Sequence, residues 1–279
     1  MRVLENVKLA SYTTIKIGGI AKKLYIPERE EDLYTIRSII EKGYLISGGS
    51  NLLINDKTID AVANLRELDN HLLIDNGKIY AGASVRLQKL IRFANENNLG
   101  GIEYLFSVPG LVGGAIFMNA GSGKDSEQIG NYVKRVRVWH DGEIKWIEQS
   151  DCRFMHRGSL FKEHGGYVII GAEFIFAPQD QKVSQKLIEE RLNLCKETQD
   201  ISMPNFGSLF KKSDPKIMGI FKKLSCKKSK KCHYSKKTGN WIVNGGMGTY
   251  EQVMQLIKRA EFLHNMFGKQ CEREVIIWE

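Results

Sequence analysis

The chain has 279 residues, 42% of them hydrophobic, and a formal net charge of +9. Those values support real buried cores and place it among ordinary globular proteins. Five cysteines, an odd number and widely spaced except for one pair, speak against a disulfide framework. The opening stretch MRVLENVKLASYTTIKIGG carries Arg2, Glu5 and Lys8 and lacks the unbroken apolar run of a signal peptide, so cytoplasmic residence is the expectation.

Taken in chain order, the elements are mixed. REEDLYTIRSIIEK puts Leu33, Ile36, Ile39 and Ile40 on one helical face, and YLISGGSN then reads as a short strand ending in glycines. HLLIDNGKIYAGA predicts a hairpin across Asn76-Gly77. SVRLQKLIRFANENNLGG predicts a helix capped by Ser84 and stopped at Gly100-Gly101. VKRVRVWHDGEIKWIE predicts a second hairpin across Asp141-Gly142, and YVIIGAEFIF a buried strand. VSQKLIEERLNLCKE is helical, and a composition change near residue 199 marks a boundary. TYEQVMQLIKRAEFLHNMFG is a long amphipathic helix with Thr249 and Gln252 in capping-box positions and Gly268 at its end. EREVIIWE closes the chain as one strand.

Tyr104 to Gly123 is a run of twenty residues without a formal charge, long enough for a membrane span. Pro109, Gly110, Gly113, Gly114, Gly121 and Gly123 make it a poor helix, so close approach of backbone to a ligand is expected instead, with no membrane partner. SGGSN, residues 47 to 51, could present backbone N–H groups to a pyrophosphate, with Ser50 and Asn51 adding side-chain hydrogen bonds. Neither segment matches G-x-G-x-x-G or G-x-x-x-x-G-K-[ST]. Cys226 and Cys232, followed by His233, have a spacing that fits no usual zinc site, so solvated thiols and no metal are expected.

The positive charge is local. Between Lys211 and Lys237 stand eleven lysines against one acid, Asp214, which is +10, so the rest of the chain carries −1. The segment reads either as a solvated loop or as a site for phosphates. With only Phe221 and Tyr234 interleaved, a nucleic-acid platform is poorly supported and no nucleic-acid partner is expected.

SYTTIKIGGIAKKLYIP, ISGGSNLLI, GGIEYLFSVPGLVGGAIFMNAG, FMHRGSLFK, PNFGSLFKK, SKKTGNWIVNGG and FGKQCEREVIIWE resemble, in order and over nearly the whole chain, the UDP-N-acetylenolpyruvoylglucosamine reductase (MurB) family. The resemblance implies an α+β chain: a two-part FAD-binding fold of the vanillyl-alcohol-oxidase type followed by a smaller α/β substrate-binding domain. It places the FAD-binding parts at 1–68 and 69–198, the substrate domain at 199–268, and 269–279 as a strand returning to the first part. It also implies noncovalent FAD, NADPH as hydride donor, and a UDP-sugar substrate whose enolpyruvyl group is reduced in peptidoglycan precursor synthesis. The glycine segment then looks like the loop and strand along the flavin, with Gly48, Gly49, Ser50, Asn51, Pro109, Gly110, Gly113, Gly114, Asn119 and Gly121 as cofactor-binding residues.

The same resemblance makes Arg157 the holder of the substrate carboxylate, Ser208 the proton donor to the enolate, and Glu274 the acid that polarises or protonates the intermediate. Such an enolate needs charge stabilisation and a proton. Glu272 competes with Glu274, because alternation on one strand puts both on the same face. Lys211 is the candidate for the diphosphate of the substrate. His156 and Thr238 stand where the family commonly has tyrosine and histidine, which bears on substrate packing. Another flavin oxidoreductase on this fold, and a phosphate- or RNA-binding protein led by the lysines, remain as alternatives.

Overall fold

Both predicted hairpins form, for a local steric reason. Asn76 and Gly77 sit at φ 48° and 74°, and Asp141 and Gly142 at 52° and 83°. Two successive left-handed residues make the turn whose twist matches the flanking strands. These hairpins belong to a five-stranded antiparallel sheet ordered Glu143–Glu148, Val133–His140, Tyr167–Ile175, Lys78–Gly82, Leu72–Asp75. The computed structural model describes residues 1–122, 127–225 and 229–279; Gly123, Cys226, Lys227 and Lys228 lie outside the described residues.

The chain divides into two compact units that do not follow chain order. The first comprises 1–5, 23–48 and 61–193, and the second 6–22, 49–60 and 194–279. In the first unit, Val136, Val138, Ala172 and Phe174 of the sheet bury one face against the helix Leu87–Glu96 through Leu87, Leu90, Ile91 and Ala94. Leu33, Ile36, Ile39 and Ile40 are buried as expected, around Trp139, Val168 and Ile170. The backbone there breaks into two short helices, Asp32–Thr35 and Arg37–Glu41. Arg137 reaches Glu30 through Nη1 and Nη2, at 2.5 and 2.8 Å.

In the second unit Phe206, Leu209, Phe210, Ile242, Val253, Ile257 and Val275 form the core. The helix Tyr250–Met266 starts as the sequence predicts, with the Thr249 hydroxyl accepting from the Gln252 amide at 3.3 Å, and Gly268 at φ 60° ends it. The last strand, Ile276–Trp278, pairs in parallel with Leu52–Ile54.

Four local expectations are corrected. Ser84 does not cap a helix: its hydroxyl donates to the Leu65 carbonyl at 2.7 Å, and the helix starts at Leu87 and stops at Glu96, before Asn98 at φ 55°. Cys232 is not a solvated thiol: like Cys152 and Cys195 it is buried, and burial pushes the Cys152 and Cys232 thiols up to about 12, while Cys226 lies outside the described residues. The glycine-dense segment is loop as expected up to Gly110 but then turns into a short helix, Val112–Phe117, in place of the expected strand. The lysine segment is more than loop: it contains the helix Pro215–Leu224 and the strand Cys232–Tyr234.

Helix formation at Val112–Phe117 shows packing overriding intrinsic preference. Val112 and Ile116 are fully buried, and the Val112 and Gly113 amides donate to the Val85 and Ala83 carbonyls, both at 2.9 Å. A Cβ on Gly113 would lie 2.8 Å from that of Ala83, so the crossing is closed to any larger residue. Among the described residues no helix is long and apolar enough to cross a membrane.

Candidate active site

In the first unit, the short strand Leu45–Ile46 runs parallel to Ala63–Asn64 and delivers Ser47 and Gly48, the start of SGGSN, at its end. The Ser47 carbonyl accepts from Arg66 Nε and the Gly48 carbonyl from Arg66 Nη2, each at 3.0 Å. A Cβ on Gly48 would stand 3.4 Å from Gly110 Cα, so the two glycine loops abut backbone to backbone. The second loop is braced from behind: Gln88 Nε2 donates to the Phe106 and Val108 carbonyls at 2.9 and 2.8 Å, and the Leu87 amide donates to the Gly110 carbonyl at 3.1 Å. Gly114 faces Ser47, whose Oγ would be 3.3 Å from a Cβ there, and Gly121 pairs with Gln128. Pro109 is exposed.

Arg157 lies on a tight turn in which the Met155 and Gly158 amides and carbonyls exchange two bonds of 3.1 Å. Its own φ is 57°, left-handed for a bulky residue, a conformation that costs of order 1–3 kcal/mol and needs support. The surroundings supply it. Asn119 Nδ2 donates to the Met155 carbonyl at 2.9 Å, Lys162 Nζ donates to the Arg157 carbonyl at 3.0 Å, and the Ser159 hydroxyl donates to the Phe117 carbonyl at 2.8 Å. Asn119 is 2% exposed, and its amide is also engaged by Gln128 and by the Gly130 amide. Its side chain therefore ties the glycine segment to the Arg157 turn.

In the second unit, Gly49 has φ 66° and its carbonyl accepts from the Thr14 amide at 3.0 Å. Asn51 Nδ2 donates to the Glu274 carbonyl at 3.1 Å. Ser208 ends the strand Asn205–Ser208 directly after Gly207 at φ 77°, and it is half-buried. Its hydroxyl makes no hydrogen bond among the described residues. The carbonyl of Leu209, the next residue, accepts from the Glu274 amide at 2.8 Å. Backbone bonding at Leu209 thus joins the segments that carry the serine and the glutamate.

The expected single C-terminal strand is two, Glu272–Arg273 paired with Phe210–Lys212, and Ile276–Trp278 paired with Leu52–Ile54. Glu274 falls in the break between them and is half-buried, whereas Glu272 is exposed. Lys211 Nζ sits 3.0 Å from Glu272 Oε2, and that lysine hydrogen bond holds the Glu272 carboxyl below its usual range.

One further lysine of the basic segment, Lys237, has a structural duty. Lys237 Nζ donates to the Lys196 carbonyl, and the Thr238 hydroxyl donates to the Thr198 carbonyl at 2.5 Å, closing the end of the helix Gln181–Thr198. Asp214, the one acid of the segment, caps Pro215–Leu224 by accepting from the Lys216 and Ile217 amides. His156 is exposed. Among the described residues no group of histidine, cysteine and acid side chains could hold a metal ion. The braces Arg66 and Gln88 carry no motif; only their folded contacts reveal them.

An FAD-binding domain model matches residues 22–148. The UDP-N-acetylenolpyruvoylglucosamine reductases of Thermotoga maritima and Bacillus pumilus are 31% and 32% identical to this chain. The first alignment covers 97% of both chains, and the second covers 92% of this chain and 87% of its relative. The solved structure of the Thermus caldophilus UDP-N-acetylenolpyruvylglucosamine reductase superposes with a TM-score of 0.83 at 25% identity over the whole of both chains.

Proposed function

The chain belongs to the UDP-N-acetylenolpyruvoylglucosamine reductase family, and from that premise we propose that it is an FAD-dependent oxidoreductase that reduces the enolpyruvyl group of UDP-N-acetylglucosamine enolpyruvate, with NADPH as hydride donor, in the cytoplasm. The observation that carries the reading is the Leu209–Glu274 backbone bond, which brings together two segments far apart in sequence, each bearing one of the groups this chemistry needs. The residues also suit the cofactor. The N–H groups of Gly48, Gly49 and Ser50 make no hydrogen bond among the described residues, and a run of such donors suits a diphosphate. We assign to FAD Gly48, Pro109, Gly110, Gly113, Gly114 and Gly121 in the first unit, with Asn119 positioning their segment, and Gly49, Ser50 and Asn51 in the second. When bound, FAD supplies hydride transfer. We also carry the division into two FAD-binding parts, a substrate domain from 199 and a returning strand as a partition by role.

The protein's own residues do the rest. Arg157 holds the substrate carboxylate with its planar, two-pronged guanidinium. Ser208 donates the proton that quenches the enolate, and Glu274 polarises that intermediate. The test is direct: purified protein carries about one releasable FAD per chain, as a single dinucleotide site requires, and acid precipitation sets the flavin free. Protein that takes up no flavin on reconstitution, or keeps it after acid, sinks the reading.

We assign Lys211 to the substrate diphosphate, and its ion pair supplies the control. Lys211→Ala is expected to raise the substrate KM, whereas Glu272→Gln leaves Lys211 in place and lowers or spares KM. A KM raised equally by Lys230→Ala, an exposed lysine of the same segment, would indicate a diffuse field in place of a contact.

A further inference from the structure

Arg66 stands outside every motif, yet its guanidinium meets the SGGSN loop through that loop's carbonyls. Nε takes the Ser47 carbonyl and Nη2 the Gly48 carbonyl, both at 3.0 Å. In a trans peptide the C=O and the following N–H point in opposite directions. Holding the carbonyls of Ser47 and Gly48 toward Arg66 therefore turns the N–H groups of Gly48 and Gly49 away from it. Those N–H groups have no acceptor among the described residues. The Gly49 carbonyl is fixed in turn by the Thr14 amide at 3.0 Å, which sets the Ser50 N–H by the same rule. The base of the arginine is itself anchored, because its amide donates to Asn64 Oδ1 at 3.0 Å.

We propose that Arg66 is a positioning residue that orients the Gly48 and Gly49 amides as a preformed anion-binding nest for the cofactor diphosphate, acting through the loop carbonyls and not by touching the phosphates. The inference rests on the assignment of this loop to FAD. A flexible glycine loop must otherwise be ordered at the moment of binding, and pre-ordering removes that cost. The planar fork matters as much as the charge, since two carbonyls are held at once from Nε and Nη2. A lysine offers a single ammonium on a flexible stem and cannot reproduce that geometry.

The test compares flavin-depleted wild-type protein with Arg66→Ala and Arg66→Lys, with FAD titrated by flavin fluorescence and the Gly48 and Gly49 amide resonances recorded without ligand. Both variants are expected to weaken FAD binding roughly tenfold or more, the scale of one charge-assisted hydrogen bond. Both are also expected to move the Gly48 and Gly49 amide resonances, while the unfolding midpoint of the flavin-free protein stays at the wild-type value. Wild-type affinity in Arg66→Lys alongside a loss in Arg66→Ala would make Arg66 a simple source of charge and overturn the proposal. Unmoved glycine resonances in Arg66→Ala would overturn it as well. Wild-type protein that binds no FAD overturns the functional reading and the cofactor assignment with it; the resonances report loop orientation without any cofactor, so the two failures are told apart.

Discussion

Ser208→Ala leaves the bleaching of bound flavin by NADPH nearly unchanged and slows recovery of its absorbance on addition of enolpyruvyl substrate by roughly 10²–10⁴-fold, the usual contribution of a positioned general acid. The expectation follows from where the hydroxyl sits. Ser208 is half-buried at the end of Asn205–Ser208, and its hydroxyl is engaged by no described residue, so it is available to a ligand. A serine with a structural duty looks different in this same chain: Ser159 donates to the Phe117 carbonyl, and Ser84 donates to that of Leu65. Replacing either of those removes a bond from the fold, whereas Ser208→Ala removes none. Stopped-flow absorbance separates the outcomes. Recovery at the wild-type rate rejects Ser208 as the proton donor, and impairment of both phases together indicates that the substitution damages the fold or the flavin site.

How much of the molecule is legible in its sequence depends on the range over which the physics acts. The two hairpins are readable because Asn76-Gly77 and Asp141-Gly142 determine their turns within two residues. The helix Pro215–Leu224 is signalled as locally, since Asp214 followed by Pro215 is a cap and first-turn pair, but the lysines around it read first as charge. The helix at Val112–Phe117 is not legible, because two glycines oppose it locally and tertiary packing, including the crossing against Ala83 and Val85, stabilises it. The buried state of Cys152, Cys195 and Cys232 is likewise a tertiary outcome. Candidate site residues emerge from ordered motifs and family resemblance. Their setting does not: that Lys211 is paired with Glu272, that Glu274 falls between two strands, and that Asn119 is fully engaged inside the protein needs the folded chain.

Gly49→Ala is expected to cost about 3 kcal/mol or more of stability, the sum of a left-handed backbone and a steric overlap that nothing nearby can relieve. Gly49 has φ 66°, and a Cβ there would lie 1.9 Å from the Tyr12 carbonyl oxygen. That oxygen is backbone, at the end of the short turn Leu9–Tyr12, so it cannot swing aside as a side chain would. The neighbouring chain is held too: the Thr13 hydroxyl donates to the Ile17 carbonyl at 2.9 Å, and the Thr14 amide donates to the Gly49 carbonyl itself at 3.0 Å. Gly268 provides the control within the same unit, having φ 60° and nothing within 4 Å of the place a Cβ would take. Gly268→Ala incurs only the conformational part, about 1–2 kcal/mol. Urea unfolding of both variants isolates the overlap as the difference between them. Equal losses would mean that the Tyr12 segment yields, and that the loop leading into Ser50 and Asn51 is held less tightly than its geometry implies.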